Sequence, residues 1–501
     1  MEEKMIFQAL LSTAAAVGDK PAFVQRDRSI SFRKWAEDSC RFANFLRSLG
    51  VGAGDKVALH LPNSIEYAVA QFGTWGAGAV SVPLDMTITR DRLEKTLRHC
   101  EAKVLVTTPE APVDSRAAAA AAPALTDLVM LPEGDGGEHS FSRIIADGDP
   151  SPPATEVAPS DHSVIYYTSG TTSEPKAILW NHRHLTAAPM IMHLFDYARA
   201  SDVTLCAVPL SHGGGTVYLQ NAAYHGTTVV MMTQFRPGEF VRLCEKHRVT
   251  CFHIVPAIFA AVVMTEEFTE ADLSALRWVT NFGAVINEAA VRRFGERCPG
   301  ARLLNGWGLM ETAPPNTLPP LDRDAPLSSV GCPPPWIDLR VVDESDDPLP
   351  TGEVGEVVLR GWVVMEGYYK APELTEQAIR NGWFHTGDLG RLDEEGYLYI
   401  VGRKKDVIIV GGLNVVAGDV EKMIREHPAV ADCAVVPAED PVRGEVVKAV
   451  VELKPGAEVT EAGIKDFLRG RLENYKLPRI VEFVDSLPRT RTGKVARRRL
   501  Y

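Results

Sequence analysis

The sequence predicts an α/β protein with a large N-terminal part and a small α+β unit at the C-terminus. Three observations lead there. Up to residue 283, Val-rich runs alternate with helix-like segments in strand–helix–strand units. After residue 328 the pattern changes to short strands joined by Gly/Pro turns. The last hundred residues hold a compact unit of their own. At about 150 residues per domain, 501 residues correspond to three units, or to one large body plus a smaller one.

The elements follow in order. Residues 3–16 read as an amphipathic helix, and residues 21–50 as a short hairpin and a helix ended by Gly50. Residues 55–85 give a strand, a turn, an Ala/Gly-rich helix and a second strand, and 101–108 a further strand. Residues 110–124 and 134–160 are Ala-, Pro-, Gly- and Ser-rich connections. Alternation resumes from 203 to 283, where a second α/β layer is expected. The final unit reads as helix 419–427, strands 432–437 and 445–453, helix 461–473 and strand 480–484. The charged stretch Gly402-Arg403-Lys404-Lys405-Asp406 is the expected boundary, dividing the chain into 1–402 and 403–501.

Composition narrows the function classes. Hydrophobic residues at 45% and charged residues at 24% exclude a chain disordered throughout. Sixty-five acids against 53 bases, a net charge of -12, argue against a general nucleic-acid or anionic-membrane surface. Eight scattered cysteines without a C-x-x-C pair read as core thiols of a reducing compartment. The acidic start lacks the basic region of a signal peptide, and no run reaches the roughly 18 apolar residues of a membrane span. A cytoplasmic enzyme is expected.

Five islands carry chemistry. Tyr167-Thr-Ser-Gly-Thr-Thr-Ser-Glu-Pro-Lys176 sits between a buried-type strand and a strand–helix segment. Its glycine, hydroxyls and lysine suit a phosphate-cradling loop, although it is not a Walker motif; a polar surface turn is the competing reading. In Asn305-Gly-Trp-Gly-Leu-Met-Glu311-Thr312, the carboxylate could hold Mg²⁺ and Trp307 could stack on a base. In Trp383-Phe-His-Thr-Gly-Asp388, the aspartate could accept from ribose hydroxyls. Residues 402–406 are the fourth island, and Leu487-Pro-Arg-Thr-Arg-Thr-Gly-Lys494 the fifth. A lysine in such a loop can swing and offset charge developing at a phosphoryl group. Taken singly, the second, third and fifth also read as a solvated acid, an ordinary turn and a solvated basic tail.

Together and in this order, the islands resemble the adenylate-forming superfamily over nearly the whole chain. The resemblance implies a large body of stacked α/β sheets plus a β-barrel-like part, with a small mobile C-terminal domain. It implies an ATP- and Mg²⁺-dependent ligase that converts a carboxylic acid to an acyl-adenylate and passes the acyl group to a thiol, often coenzyme A. By this resemblance Thr168, Ser169, Gly170, Thr171, Thr172 and Lys176 match the phosphate loop, and Trp307 and Gly308 border adenine. Glu311 matches the Mg²⁺-linked glutamate, Asp388 the ribose aspartate, and Arg403 a nucleotide-contacting arginine. Lys494 matches the adenylation lysine and Lys405 the hinge, with Gly411, Gly412 and Leu413 on the face presented for thiol attack. His212 matches the edge of the acyl site, and Asn281, Phe282, Gly283, Ala284 and Val285 its wall; buried structural roles compete for His212 and Phe282.

Departures from the family pattern matter. Ser173 and Ala177 stand at usual glycines, where a β-carbon clashes if the backbone needs a positive φ. Met310 replaces a threonine that donates to the α-phosphate, a loss of about 1–3 kcal/mol. Leu413, Ala417 and Asp419 replace Glu, Pro and Glu. A variant that mainly thioesterifies an adenylate made by a separate enzyme is therefore a second reading. A non-catalytic nucleotide-binding protein and an oxygen-dependent luminogenic enzyme are others. No acid follows the His212 island to hold an ammonium, and Gly213–Gly215 leave room, so an apolar or bulky acid other than an amino acid is expected. The expected partners are that acid, ATP and CoA, with a homodimer left open.

Overall fold

The structure, a computed structural model, describes residues 4–133, 138–168, 176–282, 288–410, 413–440, 444–489 and 495–500. Four sheets organise them. The first runs Arg302–Gly306, Trp278–Phe282, Cys251–Ile254, Val203–Cys206, Thr228–Met231, Pro21–Gln25, Arg28–Ser31; only its last pair is antiparallel. The second has eight strands, from Gly367–Tyr368 through Lys176–Asn181, His162–Thr168, Val80–Pro83 and Lys56–His60 to the edge at His139–Ser140. Helices cover these sheets, so their parallel strands are buried on both faces and read as continuous apolar runs. All four residues of Val80–Pro83 are buried, for example.

Local chemistry sets the helices. Phe32–Ser48 begins where the Ser31 hydroxyl accepts from Lys34 N–H at 3.2 Å, and stops before Gly50 at φ +71°. Its Trp35 meets Phe23 and Phe72 edge-on, each at 4.6 Å, joining helix to sheet. Helix Glu461–Leu468 is shorter than the pattern to residue 473 suggests. Arg469 already leaves the helical region at ψ 133° and Gly470 follows in left-handed backbone at φ +76°, a turn that ends the helix although apolar periodicity continues.

The third sheet is antiparallel: Asp338–Val342, Gly355–Arg360, Trp383–Leu392 and Ile379–Arg380, with Leu398–Arg403 also on Trp383–Leu392. It occupies the part expected to be barrel-like. The chain leaves it at Arg403 through the 3₁₀ turn Lys404–Asp406. It enters the fourth sheet: Leu413–Val416, Val407–Val410, Gly444–Leu453 and Val430–Asp440, with Ile480–Val484 parallel to Gly444–Leu453. That sheet and its two helices enclose a separate core, including Ile408, Val420, Ile424, Val435 and Ile464. Seven of the eight cysteines are buried and all are free.

Candidate functional site

Two neighbouring strands set the first part of the site. Asp388 on Trp383–Leu392 pairs in register with Arg403 on Leu398–Arg403. The Asp388 carboxylate is 4% exposed; its Oδ1 accepts from Arg403 Nε at 2.5 Å and its Oδ2 from Trp307 Nε1 at 2.9 Å. Gly387 adopts φ +68°, which a side chain would strain, and turns Asp388 toward Trp307. Behind it, Thr386 Oγ1 accepts from Asp388 N–H at 3.0 Å and donates to Val357 O at 2.6 Å. Gly387 N–H donates to Glu356 Oε1 at 3.1 Å, and Glu356 Oε2 holds Lys404 Nζ at 2.9 Å. Burial alone would raise the Glu356 carboxyl, but its bonds to Lys404, His385 and Gly387 leave it below the usual range. Trp307, Asp388 and Arg403 are thus assembled from three remote segments. The Trp307 N–H is committed to the carboxylate.

The second part lies at the antiparallel pair His162–Thr168 and Lys176–Asn181, where Thr168 faces Lys176 across the ladder. Ser169, Gly170, Thr171, Thr172 and Ser173, between these strand ends, lie outside the described residues, as does the Thr168 side chain. Ala177, the other departure, occupies a regular strand position without positive φ, so the anticipated clash does not arise there. Lys176 Nζ donates to Tyr368 OH at 3.2 Å and lies 4.6 Å from its ring centroid. Tyr368 OH in turn donates to Glu311 Oε1 at 3.1 Å. Burial, then the Glu311 carboxylate, push this phenol up, so it remains a donor. The backbone reinforces the link, with Met365 N–H on Glu311 O at 2.8 Å and Tyr369 N–H on Ala177 O at 2.7 Å.

Glu311 is a single partly exposed carboxylate beside this lysine. Among the described residues no group of three or more His, Cys, Asp or Glu could hold a metal by itself. That donor set suits Mg²⁺ arriving on a nucleotide, because Mg²⁺ needs only one or two carboxylates when phosphates and water complete its shell.

The acid-side candidates gather at helix Gly213–His225. His212 is its N-cap and is exposed, so a buried structural role is ruled out. Met310 turns its thioether onto the helix start: a β-carbon at Gly213 would run into Met310 Sδ and Cε. Gly308 is equally constrained, by Pro314. Asn281 is buried and its Nδ2 donates to Asn305 Oδ1 at 3.2 Å, while the Phe282 ring lies 5.6 Å from that of His253. Gly283, Ala284 and Val285 lie outside the described residues.

In the C-terminal part, Lys405 is exposed in the 3₁₀ turn and Leu413 is 51% exposed on its strand. Gly411, Gly412 and Lys494 lie outside the described residues. The flanks of Lys494 are pinned together: Arg489 bridges Val495, and Ala496 N–H donates to Pro488 O at 2.7 Å. Arg489 pairs with Asp432 at 2.6 Å, and Arg497 with Asp406 at 3.1 Å and Glu421 at 2.6 Å.

Sequence reasoning missed Tyr368 and Glu356 as site residues, and gave no role to His385 and Lys404 inside the islands it named. The Gly367-Tyr-Tyr369 run was a signal for the first; nothing local marked Glu356.

Sheet architecture, an indole–aspartate–arginine cluster and a lysine–tyrosine–glutamate chain define a nucleotide-dependent α/β enzyme. The chain belongs to the AMP-binding enzyme family, whose model matches residues 10–369, and its C-terminal-domain model matches residues 419–494. A feruloyl-CoA synthase of Amycolatopsis sp is 35% identical over 472 residues, covering 93% of this chain and 92% of the relative. A long-chain-fatty-acid–CoA ligase of Bacillus subtilis (strain 168) is 30% identical over 530 residues, covering 100% of this chain and 94% of that one. The crystal structure of ATP-bound MatB from Rhodopseudomonas palustris superposes with a TM-score of 0.92 at 29% identity, covering 99% and 97% of the two chains. No described helix is long and apolar enough to cross a membrane.

Proposed function

We propose that this enzyme is an AMP-forming acid–thiol ligase that activates an uncharged-tailed carboxylic acid with ATP and transfers the acyl group to coenzyme A. The assembly of Trp307, Asp388 and Arg403 beside the Lys176–Tyr368–Glu311 chain is the observation that carries it. The first half-reaction forms a bond between a carboxylate oxygen and the α-phosphorus and breaks the α–β anhydride, releasing pyrophosphate. The second forms a thioester as the thiolate displaces AMP from the acyl carbon.

The residue roles follow from chemistry. Asp388 accepts from ribose hydroxyls and Arg403 orients it. Lys176 and the loop 168–172 hold the β- and γ-phosphates. Glu311 would hold Mg²⁺, which would supply charge neutralisation on the phosphates. Lys494 offsets charge at the reacting carboxylate and phosphate. With the body as 1–402 and the lid as 403–501, rotation at Lys405 withdraws Lys494 and presents 411–413 to the thiol. His212, Asn281, Phe282 and 283–285 border the acid. Buried thiols are in keeping with a cytoplasmic setting.

An acid panel with ATP and CoA, read by pyrophosphate release and by mass detection of adenylate and thioester, tests this reading. ATP- and acid-dependent thioester is expected; no pyrophosphate from any acid sinks it. One observation favours a thiolation-weighted variant served by a separate adenylating enzyme: Met310 directs a thioether, which cannot donate, toward Gly213. Thioester from synthetic adenylate plus CoA, with none from acid plus ATP, selects that variant.

A further inference from the structure

Beyond the acid-side residues lies a cavity of about 20 Å³. Tyr218 and Asn221 of the helix Gly213–His225 line it, with Thr227 just past the helix, His253, Cys251 and Trp278. Three side-chain atoms of this lining, Asn221 Oδ1, Thr227 Oγ1 and His253 Nδ1, are buried with no hydrogen-bond partner. Asn221 and Thr227 are 7% and 4% exposed. Buried polar atoms are nearly always satisfied, so three orphans around one hole mark a place built for a polar guest.

The hole adjoins the acid side. The His253 ring lies 5.6 Å from Phe282 and 5.5 Å from Tyr218. Tyr218 OH accepts from His253 N–H and donates to His253 O, both at 2.8 Å, which fixes this wall. Asn221 stands nine residues beyond His212 on the helix, a depth of about 13 Å. No acidic or basic side chain apart from the imidazole lines the cavity, so an ionised group would find no counter-charge. Burial pushes the His253 imidazole down to about 3, leaving it neutral at physiological pH.

We propose that this cavity is the far end of the acid-binding site and receives a hydroxyl carried about 13 Å or somewhat less from the carboxylate, so the preferred acids are bulky and hydroxylated at their distal end. The proposal rests on the ligase reading above and names its substrate class. The volume takes about one water-sized group. A hydroxyl can both donate and accept, meeting an amide oxygen, a threonine hydroxyl and a neutral imidazole. An alkyl end would leave all three unsatisfied, and a site built to bond a hydroxyl discriminates strongly against an analogue lacking one.

The test is a ladder of phenyl-substituted acids with zero to six carbons between ring and carboxylate, each supplied with a para-hydroxyl, a para-hydrogen or a para-methyl group. Pyrophosphate release gives kcat/KM for each. At one spacer length the hydroxy acid should exceed both partners by about tenfold or more. Thr227→Val, close in shape, and Asn221→Leu should each bring that ratio toward one; a ratio within one preparation does not depend on how much of it is folded. Equal kcat/KM across every matched trio, or variants that slow all three acids alike, would mean the cavity merely houses a structural water and overturns the proposal. Absence of pyrophosphate from every acid instead removes the ligase reading, and this inference with it.

Discussion

The nucleotide side and the acid side of the candidate site are built in opposite ways. Around Asp388 and Glu311 each key side chain already has protein partners: Trp307, Arg403 and Tyr368 hold the carboxylates, and Tyr368 also takes Lys176. Around His253 three polar atoms have none. The difference teaches how one scaffold serves a constant and a variable substrate. Groups that meet a constant ligand gain from being oriented beforehand, since no reorganisation is then needed as charge develops. Groups that read a variable ligand discriminate most when only the right ligand satisfies them.

The comparison breaks most completely at Asp388. Asp388→Asn removes the charge and presents an amide N–H to either Trp307 Nε1 or Arg403, both donors. Two charge-assisted bonds at roughly 1.5–3 kcal/mol each imply a fall of about 100-fold or more in kcat/KM for ATP. Pyrophosphate exchange measures it; a fall under about threefold would detach Asp388 from the nucleotide.

Tyr368 sharpens the contrast at smaller amplitude. Tyr368→Phe keeps the ring under Lys176 and deletes the hydroxyl that links it to Glu311. A single bond at about 1 kcal/mol corresponds to a rise of roughly five- to tenfold in the KM for ATP·Mg²⁺. Thioester formation from preformed adenylate, which needs no β- or γ-phosphate, should not change. Equal losses in both half-reactions would make the tyrosine a general structural support.

A separate effect, on stability rather than catalysis, comes from buried imidazoles. Burial pushes His60 and His182 down to about 4, and the Nε2 of each has no partner. Between pH 4 and about 6.5 the unfolded chain binds more protons than the native one, so stability falls as pH falls. Each histidine contributes about 1.4 kcal/mol per pH unit across that window. Denaturant midpoints at pH 7.5, 6 and 5 should therefore drop stepwise, and His60→Gln should flatten the slope. A midpoint independent of pH over that range contradicts the assignment.

Much of the architecture was legible in the chain. Strand Ile480–Val484 falls where Val-rich alternation places it, and the turn at 404–406 falls in the charged stretch that interrupts it. Helix 461–473 was overread because periodicity says nothing about backbone angles, and the turn at Arg469–Gly470 decides the end. Of the site, Trp307, Glu311, Asp388 and Arg403 were legible as residue types in short islands. Their partners were not. Tyr368 reaches Lys176 across 192 residues of chain, and Glu356 reaches Lys404 across 48.

By itself the sequence determined the family, the order of elements and the candidate groups for the nucleotide, because turn chemistry, side-chain periodicity and short functional islands are local properties. Only the tertiary structure decided which of those groups hold one another, that Met310 closes on Gly213, and that Asn221, Thr227 and His253 share one cavity. The reason is physical: hydrogen-bond partnership and empty volume belong to the packing of remote elements, and no window along the chain contains them.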